Sequence, residues 1–266
     1  MTPVLSALHI FPVKSCAPLV LDAADVEPRG LRHDRRWVVT DATNRFLTGR
    51  QHPRLTLLRV VPADDSLELS APGMQTLRLH VPTDGDRVEV TVWANIVAAL
   101  PAGAEAEAWI SEFLGMPARL AYMDDACARP VNPDYARAGD EVSFADAFPL
   151  LLISEGALDA LNEKLAMPVP MLRFRPNLVV AHTAPHAEDG WKRIRIGSLE
   201  FDLVKPCSRC VFTTVDFETG TLDPSGEPLR TLMTYRRTER GVTFGQNVIP
   251  RGVGTLRVGD HVEILA

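Results

Sequence analysis

Two cysteines three residues apart carry the most reactive chemistry in this chain. Lys205-Pro206-Cys207-Ser208-Arg209-Cys210 runs into Val211-Phe212-Thr213-Thr214-Val215-Asp216, and it holds two of only four cysteines in the sequence. Arg209 and Lys205 favour a thiolate over a thiol beside them, and the thiolate is the form that ligates a soft metal or attacks an electrophile. Taken alone the pair is ambiguous. As half of a zinc site it needs a second pair, and only Cys16 and Cys127 remain, far apart in sequence. A thioredoxin-like redox pair opens a helix, whereas this one precedes a β-branched run. Two ordinary buried cysteines are the plain alternative.

Basic residues form the second group with chemical potential. Lys14-Ser15 follows Pro12; Arg32, Arg35 and Arg36 precede Trp37; Arg50 and Arg54 flank Gln51-His52-Pro53; Arg173-Phe174-Arg175-Pro176-Asn177 precedes an apolar run. Each taken singly reads as a solvated loop charge. Together they place several guanidinium and ammonium groups at strand ends, and such forks match phosphate oxygens in pairs. An anionic ligand follows, with Asn177 offering a donor and an acceptor to a heterocycle edge. His182 and His186, near Pro185, read as solvated loop histidines. Asp216 and Glu218 read either as a carboxylate pair or as a turn before Gly220. No zinc-protease, serine-hydrolase, P-loop or dinucleotide-binding signature is present.

These residues need a scaffold, and the patterning calls for a β-rich one in two parts. The chain has 266 residues, 46% hydrophobic and 23% charged, as expected of a soluble globular protein. Strands are expected at Val4–Ile10, near Leu19–Leu21, 36–40, 55–61, 66–70, 76–80 and 87–93, with a hairpin loop at Asp41-Ala42-Thr43-Asn44. Pro101-Ala102-Gly103 marks a boundary between a domain over 1–100 and another over 101–266. A helix follows with Ala106, Trp109, Ile110, Phe113 and Leu114 on one face and Gly115 as its stop. Residues 124–141 form a long polar loop, a length uncommon without a function. Ser154 caps a second helix bearing Leu158, Leu161 and Leu165. Strands return at 177–180, 194–196, 199–204, 211–215 and 261–265. Pro206, lacking an N–H, ends the strand before the cysteines and places them on a connection between two strands.

Several classes are set aside by composition. The net charge is −6, from 34 acidic and 28 basic residues, against a general nucleic-acid binder. No run approaches about 18 apolar residues, so no membrane-spanning helix is expected. Met1–Ser15 lacks a signal-peptide pattern, and four cysteines do not suggest a disulfide scaffold, so a reducing cytoplasm is the expected location.

Five motifs in order give a resemblance. Pro12-Val13-Lys14-Ser15-Cys16, Asp34-Arg35-Arg36-Trp37, Phe174-Arg175-Pro176-Asn177, Cys207-Ser208-Arg209-Cys210 through Thr213-Thr214-Val215-Asp216, and Phe244-Gly245-Gln246-Asn247 span essentially the whole chain. It resembles the MOSC-domain proteins with an amino-terminal MOSC β-barrel region, in particular the YcbX-like and mARC-like reductases. The resemblance implies a β-dominated mixed α/β fold, an N-terminal MOSC β-barrel domain followed by a C-terminal MOSC β-barrel domain with flanking helices. It also implies a molybdenum cofactor of the sulfite-oxidase type (Mo-molybdopterin), with Cys210 as the catalytic metal ligand and Cys207 only its neighbour. Lys14, Ser15, Arg35, Asp146, Arg175, Asn177, Ser208, Arg209 and Asn247 are then expected around the pterin and its phosphate. The implied activity is reduction of small N-hydroxylated substrates: amidoximes, hydroxylamines and N-hydroxylated bases. A sulfur carrier using a Cys210 persulfide and a non-enzymatic cofactor carrier are the alternatives. YcbX proteins carry a ferredoxin-type domain with a plant-type cysteine signature. None is seen before Ala266, nor is an amino-terminal anchoring extension, so a separate ferredoxin- or flavoprotein-type electron donor is expected.

Overall fold

The computed structural model describes residues 2–239 and 241–266. Strands dominate it. The largest sheet runs in the order Leu19–Leu21, Val4–Ile10, Leu178–Ala181, Leu150–Ser154, Gly241–Pro250, Leu199–Ser208, Arg193–Ile196, Val262–Ile264. Val4 bridges His261, Leu5 N–H donates to Asp260 O at 2.8 Å and Val262 N–H to Pro3 O at 2.9 Å. The two sides of the sheet therefore meet, and the barrel has few open edges to protect. Its interior is filled by inward-pointing Leu8, Ile10, Leu152, Val180, Phe201 and Val248, all 2% exposed or less.

The strand nearest the amino terminus thus completes a barrel built mostly from the carboxy-terminal half. Its pairing with Leu178–Ala181 is antiparallel, whereas Leu150–Ser154 runs parallel to Leu178–Ala181. A parallel pair needs a crossover, which the helix Glu155–Asn162 supplies. Ser154 caps it as expected, its hydroxyl accepting from Ala157 N–H. Leu165 lies past its end.

The intervening chain builds the second body. Trp37–Asp41 pairs with Ala118–Tyr122, which pairs with Asn95–Pro101 and through it Val88–Val92. Arg59–Pro62, Ser66–Ser70 and Leu77–His80 form a meander. The helix Ala104–Leu114 ends at Gly115 in the left-handed conformation. It buries Ala106, Trp109, Ile110 and Phe113 against Val39, Leu55 and Leu69 and against Ala118 and Leu120 of the following strand, so its packing partners lie on both sides of residue 100. Strand pairing also crosses residue 100, through the contact of Ala118–Tyr122 with Trp37–Asp41.

Some elements depart from the sequence expectation. Residues Pro53–Leu57 form a short 3-10 helix before the strand Arg59–Pro62, because Pro53 pre-sets the first turn. Leu229–Tyr235 is a short helix and Gly241–Pro250 a long central strand, neither anticipated. Near the cysteines the difference matters most. Pro206 does not end its strand, which continues to Ser208 with register shifts at Leu203/Lys205 and Pro206/Ser208. The bulges absorb the missing N–H. Val211–Thr214 is a 3-10 helix rather than a strand, and only Val215–Asp216 is extended. Thr213 and Thr214 hydroxyls donate back to the carbonyls of Cys210 and Val211, a local competition that favours turns over ladders.

Candidate functional site

Lys14 is brought to the site by strand geometry. The chain leaves Val4–Ile10 and runs beside Trp37, with Lys14 N–H donating to Trp37 O at 2.9 Å. The lysine side chain is buried, its ammonium donating to Phe144 O at 2.8 Å and to Asp146 Oδ1 at 2.5 Å. Burial lowers the Lys14 pKa, and the Asp146 carboxylate opposes that shift without reversing it.

Arg175 lines the same cleft and has no carboxylate partner within salt-bridge distance among the described residues. Its side chain is buried, with Nη1 donating to Cys16 O at 2.6 Å and Nη2 buried without a hydrogen-bond partner among the described residues. Burial first, then the charge of Arg35, lowers its pKa to about 9. A guanidinium is rarely left in this state unless an anion completes it. Arg35 donates to Asp34 Oδ2 at 2.5 Å and Asn177 Oδ1 at 3.1 Å, while both guanidinium groups lie against the Phe11 ring.

Cys207 and Cys210 also line the cleft and are partly exposed. Cys210 precedes the 3-10 helix Val211–Thr214 in an extended conformation. Arg209 donates from Nη1 to Cys207 Sγ at 3.1 Å and from Nη2 to Phe174 O at 2.7 Å, and its Nε is a second buried donor without a partner. Lys205, expected beside the thiols, instead lies over the Tyr135 ring. The other cysteines are differently placed. Burial pushes the Cys16 thiol up to about 12, and Cys127 is held by Ala98 O and Arg87. No cluster of three or more His, Cys, Asp or Glu suited to a metal exists among the described residues. A metal at Cys210 would therefore draw its other ligands from a bound group.

Every residue singled out for the site lines one cleft of about 300 Å³: Lys14, Ser15, Arg35, Asp146, Arg175, Asn177, Ser208, Arg209, Cys210 and Asn247. The two asparagines hold parts of the cleft in place. Asn177 is fully buried, and both acceptor positions of its carbonyl oxygen are taken, by Arg35 and by Leu151 N–H, while its amide donates to His9 O. It holds Arg35 rather than offering an acceptor to a heterocycle. Asn247 donates to Lys205 O and Pro206 O, tying down the bulge beneath Cys207. Gly245, two residues earlier, has φ +77°, and a Cβ there would lie 2.7 Å from Leu152 O.

The basic clusters separate by direction. Arg32 pairs with Asp64, Arg36 with Asp125 and Met123 O, and Arg54 lies over Phe113, whereas Arg173 lines the cleft and is held there by Thr214 O and Asp216. Asp216 also accepts from Glu218 N–H and Thr219 N–H, the turn reading of that carboxylate. His186 is not solvated: both ring nitrogens are buried, beside Tyr235 and Phe244.

Three contributors escaped the sequence reading. Trp93 lines the cleft, and Arg50, noticed only as part of a cluster, lines it too. Arg129, from the long loop, donates to Asn95 Oδ1, Ser143 O, Ala145 O and Asp146 O, pinning the Asp146 segment. The length of the 124–141 loop was the signal for a role there. Strain marks the same place: of eight non-glycine residues with positive φ among the described residues, Ser15, Arg35, Trp93 and Arg175 line the cleft.

Comparison with known proteins gives the family. Residues 2–117 match the MOSC N-terminal beta barrel domain and residues 139–263 the MOSC domain. Mitochondrial amidoxime-reducing component 1 of Mus musculus is 35% identical, over 98% of this chain and 82% of the mouse protein. The Homo sapiens protein of that name is 34% identical over the same shares, and mitochondrial amidoxime reducing component 2 of Bos taurus is 34% identical over 97% and 82%. Alike along nearly its whole length to such proteins, and carrying both domains in order, the chain belongs to the MOSC-domain family that includes the mitochondrial amidoxime-reducing components.

Proposed function

We propose that this protein is a molybdenum-cofactor-dependent reductase of N-hydroxylated compounds. The observation that carries the reading is Arg175, a buried guanidinium with a donor left unpaired, on the wall of a cleft that also presents the Cys210 thiol. That combination fits a ligand with an anionic tail and a soft metal, and the relatives named as amidoxime-reducing give the reaction class. When bound, the cofactor supplies two electrons that, with two protons, convert an N–OH group to N–H and water.

The chain's own residues do the rest. Cys210 ligates the metal. Arg175 and Arg209, each with a buried donor left unpaired, supply positive charge for the anionic tail, and Lys14 adds charge from a position fixed by Asp146. Asn177 and Asn247 keep Arg35 and the cysteine strand in place. In this reading the electrons come from a separate donor protein, which the viologen and NADH assays below test.

The test uses protein from a host that makes the cofactor. It should contain molybdenum and pterin and reduce benzamidoxime with chemically reduced viologen, but not with NADH or NADPH alone. Metal-free protein bearing a persulfide would favour sulfur transfer. Molybdenum-loaded protein inert with viologen would favour a cofactor carrier. Turnover by the single chain with NADH would remove the need for a separate donor.

A further inference from the structure

Trp93 sits where a two-residue hairpin favours glycine. Val92 pairs with Asn95, leaving Trp93-Ala94 as the turn, and Trp93 has φ +54°. At the first central position of such turns φ is positive, and a bulky side chain there is strained. The strain does not serve burial, since Trp93 remains 43% exposed. It serves orientation. The indole Nε1–H donates to Asp146 Oδ1 at 3.3 Å, the Phe46 ring meets it at 66° with centroids 4.8 Å apart, and Arg129 anchors the turn through Asn95. A strained, oriented and half-exposed indole at the wall of a cleft is a surface prepared for a ligand.

Arg50 completes the surface. Its guanidinium lies 4.7 Å from the Trp93 ring centroid, and its nearest carboxylate oxygen, Asp146 Oδ2, is 4.0 Å away. Asp146 is already matched by Lys14 at 2.5 Å. Among the described residues Arg50 therefore keeps its hydrogen-bond donors open, unlike Arg35, which is taken up by Asp34 and Asn177.

Resting on the reductase reading above, we propose that Trp93 and Arg50 form the substrate-facing lip of the cleft and set its selectivity. The indole stacks on the flat face of a conjugated N-hydroxylated group, and Arg50 donates to an electron-rich oxygen or nitrogen of the same molecule. Flat aryl or heteroaryl substrates are preferred over small aliphatic ones. Lys14 and Arg175, both buried, and Arg209 serve the cofactor and not this choice.

The experiment compares molybdenum-loaded parent, Trp93→Ala, Trp93→Phe and Arg50→Lys proteins, with reduced viologen as donor and benzamidoxime or acetamidoxime as substrate. Trp93→Ala should lower the kcat/KM ratio of benzamidoxime to acetamidoxime about tenfold, through KM rather than kcat. Trp93→Phe should recover most of that ratio. Equilibrium dialysis of benzamidoxime against the oxidised proteins, where no turnover occurs, should show the same order of affinity. Arg50→Lys keeps the charge and loses the fork, so it should weaken benzamidoxime binding while molybdenum content equals the parent's. Equal loss on both substrates, an unaltered ratio, or loss of molybdenum in Trp93→Phe would overturn the assignment. A parent protein that holds molybdenum and reduces neither substrate would defeat the reductase reading instead, a result distinct from any change in ratio.

Discussion

The Arg175 guanidinium lies 4.0 Å from the centroid of the Phe11 ring. Arg35 lies 4.6 Å from the same ring, so one phenyl group carries two cations. The π-face supplies part of the attraction that a carboxylate would otherwise give. It does so without giving the buried Nη2 a hydrogen-bond acceptor among the described residues.

That arrangement sets stability against function. Replacing Arg175 by Met should raise the melting temperature of cofactor-free protein, because a desolvated charge beside Arg35 is removed. The same change should weaken cofactor retention by roughly 1.5–3 kcal/mol, the scale of a charge-assisted hydrogen bond. Thermal melts of the cofactor-free protein and pterin content after gel filtration read the two effects separately. Unchanged pterin retention would remove Arg175 from the cradle.

The two cysteines should behave unequally. Cys210→Ser is expected to abolish reductase activity and lose most molybdenum, since a hydroxyl is a poor soft-metal ligand. Cys207→Ser removes only the acceptor of Arg209 Nη1 and should keep most of the metal. The opposite pattern in metal analysis would reverse the ligand assignment.

Arg129 is a positioning residue with an expected structural cost. Truncation to Ala leaves the buried carbonyls of Ser143 and Ala145 without this donor, at about 1–3 kcal/mol for each group left unsatisfied. Arg129→Lys should recover little, because one ammonium cannot span Asn95, Ser143, Ala145 and Asp146 as a fork does. Denaturant melts give the stability change, and the benzamidoxime KM tests whether the Trp93 turn has loosened with it. A Lys variant matching the parent in both would show that the fork geometry is dispensable.

Acid should destabilise the fold through His9. It is buried, with Nδ1–H donating to Pro176 O, and burial outweighs that bond in lowering its pKa from 6.5. As pH falls through 6.5 the unfolded chain takes a proton that the folded chain refuses, so stability is full above that value and declines below it. His33 and His186 shift the same way and add to the slope. One such proton contributes about 1.4 kcal/mol per pH unit at most. Melts between about pH 7.5 and 5.5 should show a decline that His9→Asn makes shallower. An identical slope in that variant would clear His9 of the effect.

Local chemistry made much of this protein legible from sequence. Alternation gave Val4–Ile10 and Ser66–Ser70, and helical spacing with Gly115 gave Ala104–Leu114, because side-chain periodicity and caps act within one element. The motif residues were legible too, since thiol and guanidinium chemistry belongs to residue type. The course of the chain around Pro206 depended instead on pairing with Gly241–Pro250, and no local pattern contains the partner strand. Which arginines face the cleft was likewise a tertiary outcome: Arg35 and Arg36 are neighbours in sequence, yet Asn177 holds one at the cleft and Asp125 draws the other away. Trp93 and Arg129 became site residues only when Asp146, from a distant segment, reached both. Side-chain type sets what a residue can do, but long-range closure of the sheets decides where it does it.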